Sequence, residues 1–169
     1  MACAVCGLVL AGTYTTFEQS LRTQAVGVAR AEAQQAARAA LARLSIEIRN
    51  AGRGPRWTGP AIVVAEPSRI VLASDLDADG TTVDKGELIT WQLVGSVLRR
   101  NAGAGAQPVT NGVKAFQLRY LDAAGKVTAQ PIDIRVVEVV LVTVPDGPES
   151  SLTLGVASQI TTRIRLRNR

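Results

Sequence analysis

The 169-residue sequence has no histidine. Its absence removes at once the commonest general base near neutral pH and the commonest zinc ligand. No GxSxG nucleophile elbow is present either. Both gaps count against an enzyme on a β scaffold. Aromatic residues are scarce, with two each of Trp, Tyr and Phe, too few to interleave with basic residues as base-stacking platforms. The two cysteines, Cys3 and Cys6, form a lone C-x-x-C. Zinc needs a second ligand pair, and a redox pair needs a preceding strand in a βαβ context. The cysteines therefore read as small apolar residues in an apolar segment. A long hydrophobic run is also missing. From Ala2 to Gly12 every residue is apolar or glycine, but that length of helix rises only ~16 Å, about half a bilayer core. No basic region precedes it, as a cleavable secretory signal would require. The run reads as the second half of a longer apolar segment, with the true start upstream or the chain cut at this point, or else as a segment that packs into a core.

The positive charge is modest: 19 Lys plus Arg against 14 Asp plus Glu, a net +5. It gathers between Arg22 and Arg56 and again at Arg163, Arg165, Arg167 and Arg169. Without aromatics among them, these clusters are weak support for a nucleic-acid interface, the partner class that a basic patch alone suggests. The terminal arginines alternate and so read as one solvated strand face. Arg99 and Arg100 are further candidates for an anionic partner, and Arg22, Arg30 and Arg38 for acids on neighbouring subunits.

Helical periodicity is strong in the first third. Val26, Ala29, Ala33, Ala37, Leu41, Leu44 and Ile48 step by three or four and share one stripe. Arg30, Glu32, Gln34, Gln35, Arg38, Arg43, Glu47 and Arg49 fall largely off it. "AARAALARL" has high helix propensity and permits close approach by another element. "RNAGRGP" is a stop, with Asn50 and Gly52 as left-handed cap candidates and Pro55 unable to continue the helix. A helix from the start to Asn50 is on the order of 70 Å long. That exceeds the width of a domain of this size, so its first half projects or is covered by something other than this chain.

After Pro60 the period changes. "AIVVAE", "RIVLAS", "ELITWQL", "SVLRRN", "AFQLRYLD", "IRVVEVVLVTV" and "TRIRLRN" are β-branched runs divided by turn residues, which predicts about seven strands. Gly95 and Gly125 are set for hairpin turns, and "PDGP" at 145–148 is a breaker between strands. "NAGAGAQPVT", 101–110, is the candidate mobile loop. The expected class is α+β: a long amino-terminal helix packed on antiparallel sheet. Residues 1–56 make the helical part, with an apolar stem at 1–20 and an amphipathic half at 21–52 on the sheet, and 57–169 make a β-rich head.

One loop carries metal-like spacing. In "SDLDADGTTVDKGE", Asp75, Asp77 and Asp79 alternate ahead of Gly80, matching the first half of an EF-hand loop, where alternating carboxylates and a sharp turn converge on calcium. The second half departs from it: Gly86 holds the twelfth place, Glu87 is displaced by one, and a strand follows where a helix belongs. Two readings result, an acidic turn between strands and a calcium site of Asp75, Asp77, Asp79 and Glu87. Glu138, within "IRVVEVVLV", reads as a wet-face residue by alternation.

The order of these pieces covers nearly the whole chain. An apolar half-helix, "ARAALARLSIEIRNAGRGP", "DLDADG", "ELITWQL", "VLRRN", "PVTNGVKAFQLRYLD" and "RIRLRN" together resemble the PilW-type minor pilins of type IV pili and the J-type pseudopilins of type II secretion. The resemblance implies a pilin-like fold and a non-enzymatic structural subunit held in the bacterial inner membrane by its apolar helix, with a periplasmic head. It also implies extraction into a pilus or pseudopilus, with other minor pilins or pseudopilins as partners and no small-molecule substrate. Family members begin with a basic leader, a glycine and an apolar segment bearing a glutamate at its fifth mature position. This sequence opens beyond that segment, and Glu18 lies too far along to stand for that glutamate. The rival readings are a basic adaptor or nucleic-acid-binding module of the DNA-uptake type, and a calcium-binding β domain.

Overall fold

A computed structural model describes residues 2–145 and 157–168, with the backbone alone at positions 2–6, 8, 9 and 11. Helix α1, Ala2–Asn50, is a single 49-residue element. Alanine and the straight-chain residues favour it throughout, and its threonines bond back along the turn rather than outward. Thr13 donates to the Leu10 carbonyl at 2.9 Å, Thr15 to Gly12 at 3.0 Å and Thr23 to Gln19 at 2.9 Å.

The helix ends where glycine allows it. Ala51 N–H still reaches the Glu47 carbonyl at 2.9 Å, and Gly52 then turns at φ 75° and gives its N–H to Ala73 at 2.7 Å. Gly52 supplies the left-handed residue; Asn50 stays helical. The orphan carbonyls of the last turn find a partner far along the chain: the Asn168 side-chain amide donates to the Ala51 carbonyl at 3.1 Å and to Asn50 at 3.3 Å.

Among the described residues eight antiparallel strands follow: β1 Ile62–Ala65, β2 Arg69–Ala73, β3 Leu88–Val94, β4 Val97–Asn101, β5 Gln107–Thr110, β6 Val113–Leu121, β7 Val136–Thr143 and β8 Ser158–Arg165. The first five form one sheet in chain order, and β6, β7 and β8 form a second. Gly95 at φ 61° makes the tight β3–β4 turn, where Val94 faces Val97, and Gly125 at φ 78° closes a turn between Leu121 and Val127. The breaker read at 145–148 lies, beyond Pro145, outside the described residues.

The strand count and the 101–110 loop need correcting. Residues 107–110 pair with β4 as strand β5, with Arg99 facing Pro108, so only the stretch from Ala102 to Ala106 is a connection. Proline masked this strand. It is tolerated because β5 is the outer edge of its sheet, where a missing N–H costs no ladder bond.

The helix crosses both sheets, meeting β8, β7 and β5. Ala37, Ala40, Leu41, Leu44 and Ile48 are buried there in one cluster with Ile62, Ile70, Leu72, Trp91, Leu98, Phe116, Val137, Leu141 and Ile164. Val26, Ala29 and Ala33, on the same stripe, are only half-buried. The strands alternate as a one-sided sheet demands. Along β7, Val137, Val139, Leu141 and Thr143 face inward while Val136, Glu138, Val140 and Val142 lie half-exposed on the other side.

Glu47 departs from the expected pattern. Although off the apolar stripe, it is turned toward the sheet with its side chain only 13% exposed. There it accepts hydrogen bonds from Trp91 Nε1 and, at 2.8 Å, from Arg100 Nε. Arg100 is thereby committed to a structural ion pair rather than to an anionic partner.

Candidate functional site

The acidic loop joins β2 to β3 and is bounded by two buried carboxylates. Asp75 and Glu87 are each 2% exposed. Glu87 ties the loop together by accepting the Leu76 N–H at 2.8 Å on one oxygen and the Asp84 N–H at 3.1 Å on the other. Asp75 Oδ2 accepts the Gly80 N–H at 3.2 Å. Its Oδ1 is buried with no hydrogen-bond partner, an arrangement that costs free energy when nothing compensates it. Gly80 at φ 91° and Gly86 at φ 99° supply the two sharp bends.

Three of the four residues singled out in the sequence come together. One oxygen each of Asp75, Asp77 and Glu87 lies within 4.8 Å of the others. Asp79 stands with a second group, Asp77 and Asp84, in which Asp77 is shared. Asp79 bonds mainly within its own turn, accepting the Thr81 N–H at 2.7 Å. Asp84 was not legible as a participant, because its place depends on how the loop doubles back. Among the described residues no Arg or Lys pairs with any of these carboxylates. The Asp79 N–H bonded to Asp77 favours the charged form of Asp77, but desolvation together with the Asp79, Glu87 and Asp84 charges outweighs it and lifts the Asp77 pKa above the usual carboxylate value.

A glycine from outside the loop lies hard against Asp75. Gly54 sits at φ 135°, and a Cβ there would come 2.6 Å from the Asp75 Cβ and 2.8 Å from its carbonyl oxygen. Gly54→Ala is therefore expected to lower stability by more than about 1 kcal/mol, since both the backbone angle and the space reject a side chain. A urea melt checks it, and an unchanged midpoint would contradict the contact.

The second surface is the part of α1 that the head leaves uncovered. Every residue from Gly12 to Ala25 is exposed. Leu10, Tyr14, Phe17, Leu21 and Val28 are at least half exposed, and Ile46 is 59% exposed. At 100° per residue these positions fall on one stripe, opposite the stripe buried against the sheets. Leu10, Val28 and Ile46 recur at about five helical turns. Cys3 and Cys6 lie in the same helix, but their side chains fall outside the described residues. No helix among the described residues is long and apolar enough to cross a membrane.

Of the remaining charged candidates, Arg99, Glu138 and Arg163 lie on strands, while Arg22, Arg30 and Arg38 stand exposed on α1. Glu138 accepts from Arg163 Nε at 2.8 Å and lies 3.6 Å from Arg119, across both neighbouring strands. Arg163, Arg165 and Arg167 are exposed on the outer side of the chain end, while Ile164 and Leu166 point inward.

No protein-family model matches the chain, and no curated protein does. Among solved structures, the chain is similar to a type IV-like pilin from Thermus thermophilus, with 16% identity and a TM-score of 0.54 over 80% of this chain and 95% of that one. A long amino-terminal helix laid on antiparallel sheets, in the arrangement of that protein, makes this a pilin-like α+β fold.

Proposed function

We propose that the protein is a non-enzymatic subunit of a type IV pilus or a type II secretion pseudopilus, of the minor PilW or J type, acting in assembly or in the tip complex. The observation that carries this reading is the uncovered apolar stripe of α1, with Leu10, Tyr14, Phe17, Leu21 and Val28 facing away from the head. An exposed apolar surface of that length calls for a partner. Helices of neighbouring subunits fit it in shape and chemistry. In a packed bundle the stripe is covered on both sides by other helices, and the β head is left outside to make lateral contacts. Before assembly, lipid of the inner membrane covers the same stripe, and the head stays in the periplasm. The threonine hydroxyls suit this environment, because bonding to the helix's own carbonyls lowers the cost of leaving water.

The first core residue of α1 is Ala37, so removing the first ~20 residues takes away no part of the self-sufficient core. That truncated chain is expected to melt cooperatively, to run as a monomer and to co-purify with the other minor pilin-like subunits encoded nearby. A truncated chain that is unfolded, or that ignores those subunits and retains DNA at low salt, would overturn the reading in favour of a basic adaptor.

A further inference from the structure

We propose that the β2–β3 loop binds one divalent cation of the calcium type, held by the carboxylates of Asp75, Asp77 and Glu87. Two oxygens that each lie 2.3–2.6 Å from one ion are at most about 5 Å apart, and the oxygens of these three residues lie within 4.8 Å of one another. A central hard cation is therefore reachable by all three without rebuilding the loop.

Asp75 points independently to a ligand. It is 2% exposed, and its Oδ1 has no hydrogen-bond partner. A buried carboxylate oxygen without a donor, beside two further carboxylates and with no paired Arg or Lys among the described residues, is an unfavourable arrangement. A divalent cation reverses the sign of that interaction. The backbone bonds of Glu87 do not compete with it, since each carboxylate oxygen has a second lone pair. Asp77 is exposed, so the ion sits at the surface with water completing its shell. Asp79 and Asp84, grouped with Asp77, add negative field without being needed as ligands. Three carboxylates converging on one ion suit calcium, whose shell is large and adaptable, better than magnesium, which demands near-ideal octahedral geometry at shorter distances and usually takes one or two carboxylates and several waters. Bound there, the ion would pin the loop between the end of α1, through Gly54, and the first residue before β3.

The test is calorimetric titration of the full chain, stripped of metal with chelator, using calcium chloride and magnesium chloride, together with thermal melts in each. One calcium per chain is expected, with a dissociation constant on the order of 10⁻⁴ M and weaker binding of magnesium. In about 10 mM calcium the melting temperature should rise by at least about 4 °C over chelator. Asp77→Asn changes an exposed side chain and removes one charge from a crowded acidic group, so its melt in chelator should be no lower than that of the unsubstituted protein while calcium affinity falls at least about tenfold. Asp75→Asn should abolish binding, and Asp77→Asn keeps the test decisive if that variant fails to fold. Coincident melts with calcium and chelator and no heat of binding would overturn the site, as would unchanged calcium affinity in Asp77→Asn. Calcium binding and filament assembly are independent properties, so either can fail alone.

Discussion

Leu44→Ala is expected to lower the folding free energy by about 2–5 kcal/mol, the range for truncating a large apolar side chain in a packed core. Leu44 is fully buried on α1, one turn from Leu41 and Ile48, in the cluster where the helix meets both sheets. Four heavy atoms of a well-packed side chain reduce to one, and the helix packs on strands of both sheets, β5, β7 and β8, which cannot all move in to close the gap. The loss therefore includes a cavity contribution as well as the lost transfer free energy. In a urea melt the midpoint should fall while the slope stays constant, because the surface exposed on unfolding is nearly unchanged. Ile46→Ala is the matched control. Ile46 is two residues away on the opposite face and 59% exposed, so its replacement should stay within about 0.5 kcal/mol. Equal effects for the two substitutions would mean that the helix face packed on the sheets has been misassigned.

Glu47→Ala should cost nearly as much, about 3 kcal/mol, for a different reason. Its carboxylate is the common acceptor of Trp91 Nε1 and Arg100 Nε, and the Glu47 and Arg100 side chains are only 13% and 18% exposed. Arg43, 3.4 Å away and largely exposed, adds little. Removing the carboxylate leaves a partly buried guanidinium and a buried indole N–H without a partner, and that uncompensated desolvation is the main loss. Glu47→Gln keeps one acceptor and should cost less. Replacing Glu47 and Arg100 together by leucine should cost less than the sum of the two single changes, because no charge is then left unpaired. Strict additivity in such a double-mutant cycle would show that the pair does not interact.

Glu47 also marks the limit of what periodicity reveals. The spacing of Leu41, Leu44 and Ile48 identifies the buried stripe of α1 by itself, because an apolar side chain needs only the helical period to declare its face. A carboxylate at the edge of that stripe is legible only as polar. Whether it turns to water or to the sheet depends on an indole and a guanidinium supplied by β3 and β4, more than forty residues later. The β5 strand was hidden for a related reason. Proline and the glycines before it carry loop chemistry locally, and only the partner β4 and the edge position make the segment a strand.

The sequence by itself determined the long helix, its stop within residues 50–55, the change to a two-residue period after Pro60, and the hairpin turns at Gly95 and Gly125. Each rests on local sterics or on short-range hydrophobic spacing, which neighbouring residues settle among themselves. It also marked Asp75, Asp77, Asp79 and Glu87 as a group, because alternating carboxylates before a glycine carry their own geometry. Only the tertiary structure decided how that group divides, with Asp75 and Glu87 buried beside Asp77 and with Asp79 set apart beside Asp84. It alone decided that the strands divide into two sheets, and that Asn168 closes the helix end from more than a hundred residues along the chain. These outcomes depend on contacts between residues distant in sequence, and such contacts exist only once the chain has folded.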